Sequence, residues 1–154
     1  MRNLIFQVGG KSRACPRRWY AALEGPRPDP QSFSCDGCSS SPDVWRGRLI
    51  WPACVIHDYH YRTGILGGTW RARAKADRKF RRNTVTLLRK QKLGAAQSRA
   101  IAWLYYGRVR IWGAKAYRYW APGEHALPWW RRVGEAYGII KSRQEGPNDE
   151  HSER

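Results

Sequence analysis

The placement of proline and glycine constrains the fold of this chain more than any other feature. Between residues 50 and 113 the breakers fall only at Pro52, Gly64, Gly67-Gly68, Gly94, Gly107 and Gly113, which leaves three stretches able to form helices. Pro52 suits a first turn, and residues 53–62 have helical spacing with Cys54, His57, Asp58 and Tyr61 on one face. Thr69 is a capping residue for a second helix from Trp70 to about Leu93, with Gly94 as its natural stop. Its expected buried stripe is Trp70, Ala74, Asp77, Phe80, Thr84 and Leu88, which sets an acid in the middle of the core face. Ser98 opens a third helix, in which Ile101, Leu104, Tyr105, Val109 and Trp112 recur at three and four residues before Gly113.

Residues 11–48 are rich in Pro, Gly, Ser and Cys and read as loop, stapled rather than packed. All four cysteines, Cys15, Cys35, Cys38 and Cys54, lie in the first third of the chain. They permit two disulfides or one tetrahedral metal site. Past the third helix, residues 117–120 and 129–132 mix aromatic and basic side chains, and the last ten residues are polar with disorder expected. At 154 residues one domain is the expectation, and no run approaches the ~18 apolar residues of a spanning helix. The apolar run at residues 4–6 is far shorter than a signal-peptide core, so no conventional export signal is expected.

Between residues 31 and 120 there are four acids, Asp36, Asp43, Asp58 and Asp77, in a strongly basic background. Asp43, after Ser41-Pro42, suits a turn or a helix cap. If Cys54 is tied to a cysteine of the preceding loop, Asp36 and Gly37 come close to Asp58. Two carboxylates and a glycine carbonyl suit a hard cation of flexible geometry, calcium before magnesium. His57, beside that site, has the ordinary pKa of a base that takes a proton from water near neutral pH. Asp77 on the core face can bond the other imidazole nitrogen and fix its tautomer. The plainer alternatives are a structural histidine, a solvated Asp58, and an Asp77 that pairs with one of the many arginines.

In order along the chain, the motifs are Asp36-Gly37-Cys38-Ser39-Ser40-Ser41-Pro42-Asp43, Ala53-Cys54-Val55-Ile56-His57-Asp58-Tyr59-His60-Tyr61-Arg62, Ala76-Asp77-Arg78-Lys79-Phe80 and Tyr105-Tyr106-Gly107-Arg108-Val109-Arg110-Ile111-Trp112-Gly113. Together they resemble the prokaryotic-type phospholipase A2 family of secreted bacterial and fungal enzymes over roughly residues 35–113. The resemblance implies a mainly α fold: a small core of two long antiparallel helices plus a third, preceded by a cysteine-stapled metal-binding loop. It implies a calcium-dependent esterase acting on the sn-2 acyl chain of glycerophospholipids. His57 is then the general base, Asp77 orients it, Tyr61 supports the pair, and Asp36, Gly37 and Asp58 bind calcium. Cys38 and Cys54 match the family's loop disulfide, which leaves Cys15 and Cys35 to pair with each other by elimination. His60 stands where the family usually has glycine. The implied layout is an extension over residues 1–34, a core over 35–113, an aromatic and basic extension over 114–144, and a tail over 145–154.

The chain carries 29 Lys plus Arg against 12 Asp plus Glu, a formal charge of +17, which points to a polyanionic partner. Ten of those bases lie between Arg71 and Lys92. For a lipid enzyme the partner is an anionic phospholipid membrane surface, with Trp120, Trp129, Trp130, Arg131 and Arg132 as interface candidates. Two other readings compete. In one, the four cysteines bind zinc and the basic helix binds nucleic acid; in the other, the chain is a structural virion component on a phospholipase-like scaffold. The expected location is extracellular or virion-associated, and peripheral at membranes.

Overall fold

The structure, a computed structural model, describes residues 3–30, 33–38 and 41–117. It is mainly helical. β1 (Asn3–Val8) and β2 (Lys11–Pro16) form an antiparallel hairpin, followed by the single-turn helix α1 (Arg17–Tyr20). β3 (Ser34–Cys35) adds to the free edge of β1 in parallel, with Gln7 opposite Ser34 and Val8 opposite Cys35. A second two-stranded ribbon joins β4 (Val44–Trp45) to β5 (Arg48–Leu49). Three helices complete the described chain: α2 (Trp51–Thr63), α3 (Trp70–Lys90) and α4 (Ala95–Trp112), with a 3-10 turn at Gly113–Lys115.

The helix boundaries follow local chemistry. Pro52 sits in the first turn of α2, and Gly64 closes it in the left-handed conformation, its N–H donating to the His60 carbonyl. The Thr69 side chain caps α3 by accepting from the Ala72 N–H at 3.2 Å. α3 stops at Lys90, short of the expected Leu93. Lys92 takes a left-handed φ of 63°, the Leu93 N–H donates to the Leu88 carbonyl and the Lys92 N–H to that of Arg89. That is a Schellman end built without glycine. Gly94 instead precedes α4, so that Ser98, expected to open this helix, lies buried inside its first turn.

The segment expected to be loop from residue 11 onward is partly sheet. Gly9 and Gly10 both take positive φ, the requirement of a two-residue hairpin turn, and so fold β2 back on β1. Phe6, Val8 and Cys15 from this hairpin are buried in the same cluster as Trp51, Ile56, Phe80 and Leu87 of the helices. Phe6 meets Tyr20 and Trp51 edge to face, at 4.9 and 5.6 Å between ring centroids. The stretch after α1 is anchored on α3. The Asn83 side chain accepts from the Glu24 N–H and donates to the Glu24 carbonyl, and Arg82 forks onto the Glu24 carboxylate.

The expected stripes hold except at three large side chains. Ala74, Asp77, Phe80, Thr84 and Leu88 of α3 are buried, as are Ile101 and Tyr105 of α4. Trp70, Leu104 and Trp112 are exposed instead. Helical period alone cannot tell a core stripe from a surface one at the end of a helix or on a helix that packs on one side.

Candidate active site

One face of α2 carries Cys54, His57, Asp58 and Tyr61, and all four line a cavity of about 100 Å³. Gly37 and Cys38 of the preceding loop, Phe80 of α3, and Tyr105, Val109 and Trp112 of α4 complete most of its wall. The loop is held against α2 by a Cys38–Cys54 disulfide. Asp43 fixes the loop's shape. Its Oδ1 accepts from the Cys38 N–H at 2.7 Å, its Oδ2 meets Arg13 at 2.9 Å, and its carbonyl accepts from Ile50 and Trp51 at the start of α2. Of the two roles its position suggested, Asp43 takes that of a turn residue; α2 begins after Ile50 without a side-chain cap. Gly37 needs its glycine, because at a φ of 83° a Cβ would lie 2.5 Å from Asp43 Oδ1.

His57 and Asp77 meet inside the protein. His57 Nε2 lies 2.9 Å from Asp77 Oδ1, and the Tyr61 hydroxyl donates to the same oxygen at 2.6 Å. Asp77 is fully buried yet kept below the usual carboxylate range: burial raises its pKa, and the hydrogen bonds from His57, Tyr61 and Arg110 outweigh that rise. A carboxylate can only accept, so Nε2 carries the proton and Nδ1 keeps its lone pair. Burial lowers the pKa of His57, against the raising pull of Asp77, so the ring is held as a neutral base. The ring is clamped between Tyr61 and Phe80, with centroids 4.0 and 4.8 Å away.

Asp58 faces the other side of the site. Burial pushes its carboxyl up to about 8, with Arg62 opposing the rise and Asp36 and Asp43 adding to it. Among the described residues its one ion-pair contact is His57 Nδ1, at 4.0 Å. A nearly enclosed carboxyl whose burial Arg62 offsets only in part fits a bound metal ion, whose charge would offset the rest of that cost. Asp36 lies at the exposed rim of the loop, 3.2 Å from Arg62. No group of three or more His, Cys, Asp or Glu side chains among the described residues is disposed to hold a metal. A cation here would draw on backbone carbonyls and water besides the two carboxylates, as calcium commonly does.

Two expectations are overturned. Cys15 and Cys35 do not pair: both are free and buried. Cys15 stands opposite Leu4 and Cys35 opposite Val8, on opposite sides and at opposite ends of β1, about 16 Å apart by strand geometry and beyond disulfide reach. Burial raises their thiol pKa values to about 11 and about 12, which keeps both protonated. The four-cysteine zinc site falls with this arrangement, since Cys38 and Cys54 are bonded to each other and the remaining thiols are far apart. The interface candidates Trp120, Trp129, Trp130, Arg131 and Arg132 lie outside the described residues.

Sequence reasoning missed two arginines of the site. Arg110 donates to Asp77 Oδ2 at 2.8 Å, and Arg73 lies 3.9 Å from the same oxygen. The general expectation that a core-facing acid pairs with arginine pointed to such a contact without naming the partner.

The sequence profile of the prokaryotic phospholipase A2 family matches residues 13–113. A secretory phospholipase A2 of Arthroderma benhamiae is 46% identical over 46 residues, which cover 30% of this chain. The match spans 31% of that relative's length, so the chain covers less than a third of the curated relative. No solved structure matches the chain significantly. With the family profile covering well over half of the sequence, including His57, Asp58 and Asp77, the chain belongs to the prokaryotic phospholipase A2 family.

Proposed function

We propose that this chain is a calcium-dependent phospholipase A2, hydrolysing the sn-2 ester of glycerophospholipids with a water activated by His57. The observation that carries this reading is the buried His57–Asp77 pair, joined at 2.9 Å on the wall of a cavity that also holds the Asp58 carboxyl, 4.0 Å from His57 Nδ1. Residues 35–113 are taken as the part that carries the chemistry, with the segments on either side as its extensions. An antiparallel arrangement of α2 and α3 is supported by two cross-links in reversed order, His57 to Asp77 and Tyr61 to Arg73, and by Leu49, just before α2, meeting Gln91, just after α3.

In this reading Asp77 accepts the hydrogen bond from Nε2–H and thereby aims the Nδ1 lone pair at water. Nδ1 takes a proton from that water as its oxygen attacks the ester carbonyl. The imidazolium that forms is stabilised by Asp77, and the proton then passes to the departing glycerol oxygen as the ester bond breaks. Tyr61 holds Asp77 and covers one face of the ring. Asp36, Gly37 and Asp58 would hold the metal. The chemistry that a calcium ion would supply there is Lewis-acid polarisation of the carbonyl and stabilisation of negative charge on its oxygen.

The substrate surface is proposed to be an anionic bilayer. Trp103, Leu104, Ile111 and Trp112 of α4 are exposed and line a groove of about 480 Å³ that shares Ser41, Tyr105 and Trp112 with the catalytic cavity. Arg81 lies over the Trp103 ring at 4.1 Å, an aromatic and cationic pairing suited to the headgroup level. Work outside the cell is supported by the disulfide and by the secretory relative.

The test is fatty-acid release from anionic and zwitterionic vesicles, with calcium and then with excess chelator, run beside His57→Gln and Asp58→Asn. Release that stops with chelator and in both variants is expected, with calcium binding surviving only in His57→Gln. Release that continues in His57→Gln would sink the general-base assignment, and release indifferent to chelator would sink the metal.

A further inference from the structure

Asp77 poses an electrostatic problem. A general base must be neutral before it accepts a proton, so in the resting state His57 cannot supply the positive charge that a fully buried, ionised Asp77 needs. The structure divides the load between the two carboxylate oxygens. Oδ1 receives His57 Nε2–H and the Tyr61 hydroxyl, both uncharged donors. Oδ2 receives the Arg110 guanidinium at 2.8 Å, from the last turn of α4.

We propose that Arg110 is a positioning residue for the His57–Asp77 pair, and that Arg73 holds Arg110 in place. The inference rests on the catalytic reading above. Rotation about the last side-chain torsion of an aspartate is soft and nearly two-fold, so donors on one oxygen alone leave the carboxylate free to rock. A charge-assisted bond on the second oxygen removes that freedom and keeps Oδ1 aimed at the imidazole. Arg73 keeps the last turn of α4 in register. Its Nη2 donates to the Val109 carbonyl at 2.9 Å and the Arg110 carbonyl at 2.7 Å, and its Nε to the Tyr61 hydroxyl at 3.3 Å. The end of α4, the start of α3 and the catalytic face of α2 are thereby tied to one carboxylate.

The experiment uses the full chain as Arg110→Gln and Arg110→Lys, assayed on a dispersed short-chain phospholipid with calcium, far below the unfolding temperature of each variant. In parallel, the protected Nε2 proton of His57 is followed by NMR on 15N-histidine protein, assigned by its absence in His57→Gln. We expect Arg110→Gln to lose roughly tenfold to a hundredfold in kcat with KM within about twofold, the scale of a small misplacement of a catalytic group. Its Nε2 proton signal should shift or broaden, and Arg110→Lys should recover most of both. An unchanged kcat and an unchanged signal in folded Arg110→Gln overturn the proposal. So does a loss of kcat in both variants with the His57 signal intact. If the unaltered chain shows no turnover, the catalytic reading fails, and the His57 signal in Arg110→Gln still decides whether Arg110 positions the ring.

Discussion

Gly113 has no side chain because Tyr61 occupies the space one would need. A Cβ there would lie 2.7 Å from the Tyr61 hydroxyl, whose bond to Asp77 holds the carboxylate proposed to orient His57. The backbone at Gly113 has a φ of −74°, open to any residue, so Gly113→Ala should act through Tyr61 alone. Its kcat should fall by about tenfold or more, since displacement of a supporting group by a fraction of an ångström is enough. Vesicle hydrolysis measured beside a thermal melt checks this: lost turnover with little lost stability is the expected pattern. A second residue reports through pH. His60 is buried against Gly25, its Nδ1–H donates to the Ile56 carbonyl, and its Nε2 has no partner among the described residues. Burial lowers its pKa from 6.5 to about 4. The unfolded chain therefore takes up this proton first, and the stability His60 contributes is full above pH 6.5 and lost as pH falls through 4, about 3 kcal/mol in all. Urea unfolding with chelator present should show a steeper acid loss for the native chain than for His60→Gln. His57, Asp58 and Asp77 were legible in the sequence because acids are scarce in this background and each needed a reason. Arg110 was not legible: among nine bases on α3 and more on α4, only three-dimensional proximity selects one.

At the scale of elements, the loop before α2 and the outer face of α4 each carry a measurable consequence. The Cys38–Cys54 bond joins residues 16 apart in sequence, and a closed loop of that size stabilises the fold by about 3 kcal/mol in the chain-entropy account. The paired variant Cys38→Ser with Cys54→Ser should lose about that much in urea unfolding, and the calcium binding proposed above should weaken with it, because the loop that carries Asp36 and Gly37 loses its covalent tie to α2 and keeps the Cys38–Asp43 hydrogen bond and the Asp36–Arg62 ion pair. Trp103 and Ile111 stand outside the catalytic cavity, so Trp103→Ala with Ile111→Ala should weaken sedimentation with anionic vesicles about tenfold or more while leaving hydrolysis of a dispersed substrate unchanged. A change in the oligomeric state of that variant instead would mark the face as a contact between copies. The three helices were legible because their breakers and caps are local: Pro52, Gly64 and Thr69 each act on the adjacent turn. The end of α3 was not, since Lys92 takes the conformation usually left to glycine while Gln91 turns its side chain to both backbone groups of Leu49. The Gly9-Gly10 hairpin had a local signal, two adjacent glycines after the apolar run that ends at Val8, but the polar Lys11-Ser12-Arg13 that follows does not read as a strand.

For the whole molecule, the question is whether the residues proposed to carry the chemistry fold without the chain before them. Phe6 and Val8 of β1 and Cys15 of β2 are buried among the helices, and Leu23 joins them from the segment that Asn83 and Arg82 anchor on α3. Burying one large apolar side chain stabilises by about 1.5–3 kcal/mol, so Phe6, Val8 and Leu23 together contribute about 4–9 kcal/mol. That is comparable to the entire stability of an ordinary domain, about 5–15 kcal/mol. Their removal would also expose Trp51 and Ile56, which now pack beneath them, and would leave His60 without the wall at Gly25. A chain starting at residue 35 should therefore lose its cooperative thermal transition, and vesicle hydrolysis with it, even though His57, Asp58, Asp77 and Arg110 are all retained. Far-ultraviolet circular dichroism and a thermal melt of that truncation provide the measurement. A sharp transition close to that of the full chain would mean that the chain folds from residue 35 onward without the segments before it and that the hairpin is an appended element rather than part of the core.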